Sequence, residues 1–177
     1  RESYAVGSLA RYNLNGHLLC NSAREAAESI RLKKFCTNPY MNTAAQIVES
    51  VHFCEEAELI LNDMISIGLN KSEKVPGGIN ETGHFSLSRG RGVGAVEVPR
   101  GILFHCYESD ENGIITGADC VIPTGQNLAN IENDMRGIVS GMKNPDEKSV
   151  RTALEMLIRA YDPCISCSTH FLEIDFV

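Results

Sequence analysis

A helix that has to stop at Asp162-Pro163 constrains this chain more than any other feature. Val150, Leu154, Leu157 and Ile158 recur at helical spacing and predict the buried stripe of a helix running from Asp146 or Lys148 to Tyr161, with Asn144-Pro145-Asp146 as its loop and start. Proline cannot extend the hydrogen-bond ladder, and it biases the residue before it away from the right-handed helical region. The helix therefore ends at Asp162 and hands on Cys164-Ile165-Ser166-Cys167-Ser168-Thr169-His170, two thiols three apart and an imidazole three further on. Such a pair can grip a soft metal or close a disulfide. Structural zinc needs four closed ligands, and Cys20, Cys36, Cys54, Cys106 and Cys120 are scattered singly, with no second Cys-x-x-Cys pair. A thioredoxin-like dithiol follows a strand and opens a helix, whereas this one follows a helix. Spacing alone leaves zinc, redox chemistry and a larger metal cluster open.

The rest of the chain reads as mainly α with a small antiparallel β element, an α+β class in a single domain over 1–177. Residues 1–20 are mixed, with turn chemistry at Asn13-Leu14-Asn15-Gly16. A helical region covers 21–68. Within it Asn21-Ser22 is expected to cap a helix from Ala23 to Phe35, and Asn42 or Thr43 a longer one to Ile67. The longer helix carries Ala44, Ile47, Val48, Val51, Cys54, Leu61 and Ile65 as its expected core stripe, which makes Cys54 a small buried residue and puts His52 off the stripe. A loop and β element follow over 69–123. Its glycines, at Pro76-Gly77-Gly78 and Arg89-Gly90-Arg91-Gly92-Val93-Gly94, lead into strand and not into a helix, so they do not form a phosphate-binding loop. Strands are expected at Val93–Val98, Gly101–Tyr107 and Ile114–Ile122, with a turn at Ser109-Asp110-Glu111-Asn112-Gly113. A second helical region spans 124–161, then a metal motif at 162–170 and a tail at 171–177. His84 reads as a polar loop histidine, with a ligand or proton-carrier role as the alternative.

Asp162-Pro163-Cys164-x-x-Cys167-x-x-His170 resembles the C-terminal signature of the nickel-iron hydrogenase large subunit. Three further segments resemble that family in the same order. Val6-Gly7-Ser8-Leu9-Ala10-Arg11 is similar to its Val-Gly-Pro-Leu-Ala-Arg run, with Ser8 where proline is usual. Val96-Glu97-Val98-Pro99-Arg100-Gly101, with His105 beyond, is similar to its Glu-x-Pro-Arg-Gly segment. Val121-Ile122-Pro123-Thr124-Gly125-Gln126-Asn127 is similar to its Pro-(Ser/Thr)-x-x-Asn segment.

The resemblance implies the C-terminal portion of that fold and a nickel-iron centre, with carbonyl and cyanide ligands on the iron, that cleaves or forms H2. Cys164 would be a terminal nickel ligand and Cys167 a bridge to the iron, since soft thiolates suit these metals. Arg100 would place a fixed cation over the metals, able to hydrogen-bond a cyanide nitrogen and polarise bound H2, with Asp162 orienting it. Thr124 would donate to the other cyanide, and Pro99 and Pro123 would wall the diatomic ligands. His105 would be a neighbouring or proton-path residue, with a satisfied core histidine as the alternative. His170 and the backbone carbonyl of Cys120 would bind a magnesium or iron ion, and the tail after His170 would be either a segment for a maturation endopeptidase or a retained extension.

The family's N-terminal Arg-x-Cys-Gly-x-Cys pair and its early glutamate have no counterpart in this sequence. A chain or segment carrying that Cys-x-x-Cys motif is therefore an expected partner, as is a small subunit holding iron-sulfur clusters, for which this chain has too few grouped cysteines. The readings that stay open are a portion of a catalytic subunit, a hydrogenase-derived structural subunit without catalysis, and a zinc or redox module. The net charge of −7 lies in both halves and excludes a phosphate-backbone binder, which needs a basic face. No apolar run is long enough to span a membrane. Seven cysteines without a regular framework, and no signal-peptide layout, point to reduced thiols and a cytoplasmic location.

Overall fold

The computed structural model describes residues 3–68 and 89–164. Cys167, His170, the tail 171–177, His84 and the Pro76-Gly77-Gly78 glycines lie outside the described residues. The described residues form five α-helices and a three-stranded sheet: α1 Ser8–Asn15, α2 Asn21–Ser29, α3 Asn42–Ile67, α4 Pro123–Gly141 and α5 Glu147–Tyr161, with β1 Gly90–Val98, β2 Gly101–Ser109 and β3 Ile115–Val121 between α3 and α4 in the chain. The sheet is antiparallel in the order β1-β2-β3, so the expected α+β architecture with one small β element is what the chain adopts.

The strands meet through two hairpins. Val98 pairs with Gly101, which makes Pro99-Arg100 a two-residue hairpin loop. The β2–β3 turn is built by Asp110, whose carboxylate accepts the Asn112 and Ile114 amides at 2.9 Å each, an aspartate using its side chain to mimic a backbone turn.

Helix ends decide the differences from expectation. Residues 8–15 are helical, not mixed, because Gly7, with φ 112°, admits a turn that places the Arg11 amide on the Gly7 carbonyl. The second helix ends at Ser29, not at Phe35. Arg31 takes φ 56°, its N–H bonds Glu28 O and the Leu32 N–H bonds Ala27 O, which is a Schellman closure that a non-glycine residue supplies. Neither Asn21-Ser22 nor Asn42-Thr43 acts as an N-cap: the cap positions are Cys20 and Met41, without side-chain cap bonds. Asn42 is used elsewhere, as the site shows. The fourth helix begins at Pro123 and not near Gln126, since proline at the first helical position gives up only an amide that would be orphaned anyway. Asp146 and Ser149 cap α5 reciprocally.

The core sits where α1, α2 and the first half of α3 meet, around Tyr12, Leu19, Ala23, Ala27, Leu32, Ala45 and Val48. Leu157, fully buried on α5, contributes about 2 kcal/mol by the usual scale for burying such a side chain. The expected stripe of α3 holds only in its first half. Leu61 and Ile65 are 58% and 79% exposed, Ile47 is exposed as well, and Cys54 is exposed, not core. Beyond Val51 the helix runs past its neighbours, and Leu59, Ile60 and Met64 are exposed with it. A helix apolar around its circumference is built for burial on several sides, and these residues cover only one.

Candidate metal-site half and its supports

Five elements converge on the end of α5. Asp162 closes the helix in the left-handed region, at φ 49° and ψ 56°, a conformation aspartate tolerates and one that proline at 163 permits. Arg100 reaches it from the β1–β2 hairpin loop and grips it twice. Its Nε donates to the Asp162 backbone oxygen at 2.5 Å, and its Nη2 donates to Asp162 Oδ1 at 2.9 Å. The other carboxylate oxygen, Oδ2, accepts from Gln46 Nε2 of α3 at 2.9 Å. Two residues on, the Cys164 amide donates to Thr124 Oγ1 at 3.1 Å, and Thr124, in the first turn of α4, is buried.

The same end is tied down from behind. Asn42 of α3 donates from Nδ2 to Ala160 O at 3.1 Å while its Oδ1 accepts the Leu9 amide at 3.2 Å. Tyr161 donates to Asp134 Oδ2 of α4 at 2.7 Å. Burial, with the Asp134 carboxylate beside it, pushes the Tyr161 phenol far above its ordinary value.

The hairpin loop that carries Arg100 is wedged as well. Asn127, buried on α4, accepts the Val6 amide at 2.8 Å and donates to the Val6 carbonyl at 3.3 Å. Val6 in turn lies on Gly101, where an added Cβ would come within 2.7 Å of Val6 Cγ2 and 3.2 Å of Pro123 Cβ, at φ 144°. Only glycine fits that corner. Arg11 spans the gap between Glu49 and the loop. It forks onto the Glu49 carboxylate at 2.6 and 2.8 Å and also donates to Pro99 O at 2.7 Å, Val98 O at 3.2 Å and Ser8 Oγ at 3.2 Å. The Arg11 guanidinium is held above its ordinary value, first by its hydrogen bonds to the Glu49 carboxylate, with burial opposing.

Arg100, Asp162, Thr124 and Cys164 are thus brought together from three separate segments, with Pro123 beneath the hairpin corner and Pro99 at its exposed tip. His105 goes elsewhere. It pairs across the sheet with Cys120, its Nδ1 lying 2.8 Å from Tyr107 OH and 3.2 Å from Cys120 Sγ. His52, off the expected stripe of α3, accepts the Cys20 amide at 3.3 Å. Gln46, Glu49, Asn42 and Asn127 carry much of the geometry without having been singled out for it. Asn127 closes the Pro-(Ser/Thr)-x-x-Asn-like segment and Asn42 reads as a cap, whereas Gln46 and Glu49, three apart on one helix face, become legible only with the hairpin loop in view.

As for a nickel-iron centre, the described residues gather no group of three or more His, Cys, Asp or Glu side chains able to hold a metal ion. They do present a cysteine two residues past the aspartate that holds the guanidinium, its amide on a buried hydroxyl, which fits one side of such a centre and not a whole one.

The sequence model for the nickel-dependent hydrogenase family matches residues 2–170. The chain belongs to that family. It is 35% identical over 171 residues to the sulfhydrogenase 1 alpha subunit of Pyrococcus furiosus, covering 97% of this chain and 38% of that one. To the beta subunit of the NAD-reducing hydrogenase HoxS of Cupriavidus necator it is 35% identical over 176 residues, covering 96% of this chain and 34% of that one. A crystal structure of an NAD+-reducing NiFe-hydrogenase in the H2-reduced state superposes with a TM-score of 0.67 at 27% identity, over 95% of this chain and 36% of that one. The chain thus spans little more than a third of the length of these relatives.

Proposed function

We propose that this chain forms the C-terminal portion of a nickel-iron hydrogenase catalytic subunit and supplies two of the thiolates that hold the metals. The reading rests on one observation above all: the arginine of the hairpin loop, the hydroxyl of α4 and the backbone of the cysteine after α5 meet at a single aspartate-capped helix end. When bound, a nickel-iron centre supplies the splitting of H2 into two protons and two electrons, or the reverse.

The chain's own residues would act around that centre in separate ways. Cys164 and Cys167 hold the metals as thiolates, whose softness suits nickel and iron. Arg100 keeps a fixed positive charge at the pocket, stiffened by its fork onto Asp162, so that charge developing there meets a dipole already in place. Thr124 accepts the Cys164 amide through its oxygen, which leaves the hydroxyl hydrogen to donate toward a cyanide nitrogen. Pro99 and Pro123 offer no amide hydrogens and exclude water from the diatomic ligands. His170 and the Cys120 carbonyl bind a magnesium or iron ion next to the site, and His105 lies near that carbonyl through its contact with Cys120.

The remaining thiolates come from a segment or chain carrying the other Cys-x-x-Cys motif, and the electrons leave through an iron-sulfur subunit in a cytoplasmic complex. The exposed apolar second half of α3 supports such a completed assembly, because patches of that kind mark surfaces that another segment covers. No described helix is long and apolar enough to cross a membrane. Replacing Cys164 with serine in the co-purified complex is the test: nickel per chain should fall to background while the partners still co-purify. Full nickel retention would refute the assignment.

A further inference from the structure

Arg100 faces Asp162, and the structure also records what stands behind it. Two residues of α3, Gln46 and Glu49, lie three apart and so share one face of the helix. From that face α3 holds the arginine at both ends. Glu49 grips Arg11, and Arg11 donates to the carbonyls of Val98 and Pro99, the two residues that immediately precede Arg100. Gln46 holds Asp162 Oδ2, which turns Oδ1 to Arg100 Nη2.

The arrangement is more than a surface ion pair. The Arg11 and Glu49 side chains are 17% and 12% exposed, and Nε, Nη1 and Nη2 of Arg11 all donate. Ser8, fully buried at the start of α1, adds an acceptor to Arg11 Nη2. That serine stands where the family resemblance has proline, so this chain gives Arg11 a contact that a proline there could not. The Arg100 side chain, by contrast, is 38% exposed, and the direction of its guanidinium depends on these props and not on close packing.

We propose that Arg11 and Gln46 are positioning residues for Arg100: α3 sets the backbone of the hairpin loop through Glu49 and Arg11, and the guanidinium through Gln46 and Asp162. The proposal rests on the nickel-iron reading above. Neither residue touches the metals or H2. Their removal shifts the arginine by a fraction of its hydrogen-bond length, which is enough to misplace a charge that has to be fixed before the reaction.

The test uses the complete complex containing the Gln46→Met variant, and the Arg11→Met/Glu49→Met double variant, which leaves no buried carboxylate unpaired. Nickel and iron content, the infrared bands of the carbonyl and cyanide ligands, thermal stability, and kcat and KM for H2 are measured together. Both variants should keep their metals, shift the cyanide bands, and lose kcat about ten- to a hundredfold with KM for H2 within about twofold, the split expected when an interaction made only in the transition state is weakened. Lowered thermal stability with unchanged bands and unchanged kcat would overturn the positioning role and leave the nickel-iron reading standing. A wild-type complex without nickel and without those bands would overturn both.

Discussion

Thr124→Val tests how the Cys164 segment is held. Valine keeps the volume of threonine inside the buried first turn of α4 but removes the oxygen that accepts the Cys164 amide at 3.1 Å. A typical intramolecular hydrogen bond contributes about 1 kcal/mol net, and an amide left without its acceptor costs about 1–3 kcal/mol. Cys164 is only half-buried, so water reaches the amide and the loss falls at the lower end, about 1–2 kcal/mol. With 1.4 kcal/mol for each factor of ten, local opening of the segment becomes about 5- to 30-fold more populated. Amide hydrogen exchange reads that population directly, and the assignment is clean because Pro163 has no amide. The Cys164 amide in the purified complex should lose protection by that factor in Thr124→Val and regain most of it in Thr124→Ser. Unchanged protection in the valine variant, or no recovery in the serine variant, would show that the hydroxyl does not hold this segment.

Arg100→Lys should keep nickel while turnover falls about a hundred- to a thousandfold, because one ammonium cannot reproduce the fork onto Asp162; metal analysis beside an H2-oxidation assay decides it. Asn127→Leu removes both bonds to the Val6 backbone at a buried position and should destabilise the chain by about 2–4 kcal/mol, measured by chemical denaturation. Tyr161 gives a pH prediction with a definite sign. Its phenol is held protonated in the fold above the value it has when unfolded, so the folded state binds more protons above about pH 10. That stability is complete below about pH 10 and is lost as the pH rises further. An alkaline unfolding series should show this slope in wild type and a shallower one in Tyr161→Phe.

Much of the architecture was legible because it depends on local signals. Pro163 stops α5 whatever the tertiary context, Asp110-Gly113 makes its turn with its own side chain, and the β2 and β3 strands announce themselves by composition. The misreadings come from context. Arg31 closes α2 in a conformation that favours glycine, and no sequence rule asks an arginine to do so. Asn42 looks like a helix cap but spends its side chain on Leu9 and Ala160, contacts fixed only once α1 and α5 are in place. The apolar periodicity of α3 was real, yet periodicity tells which residues suit burial and not which neighbours are present to bury them. For the site, Arg100, Asp162, Thr124 and Cys164 were marked by motifs because they sit in hairpin loops and at helix ends. Gln46 and Glu49 were not, since glutamine and glutamate on a helix face ordinarily read as solvated.

Metal analysis of the natively purified complex, with infrared spectra in the carbonyl and cyanide stretching region, decides whether the proposed nickel-iron site is shared between this chain and another segment. Nickel and iron at about one each per chain, the diatomic bands, and a co-purifying segment or chain that carries a second Cys-x-x-Cys pair are the expected result. Zinc alone, or neither metal nor bands, would refute the shared site and leave the fold without the chemistry.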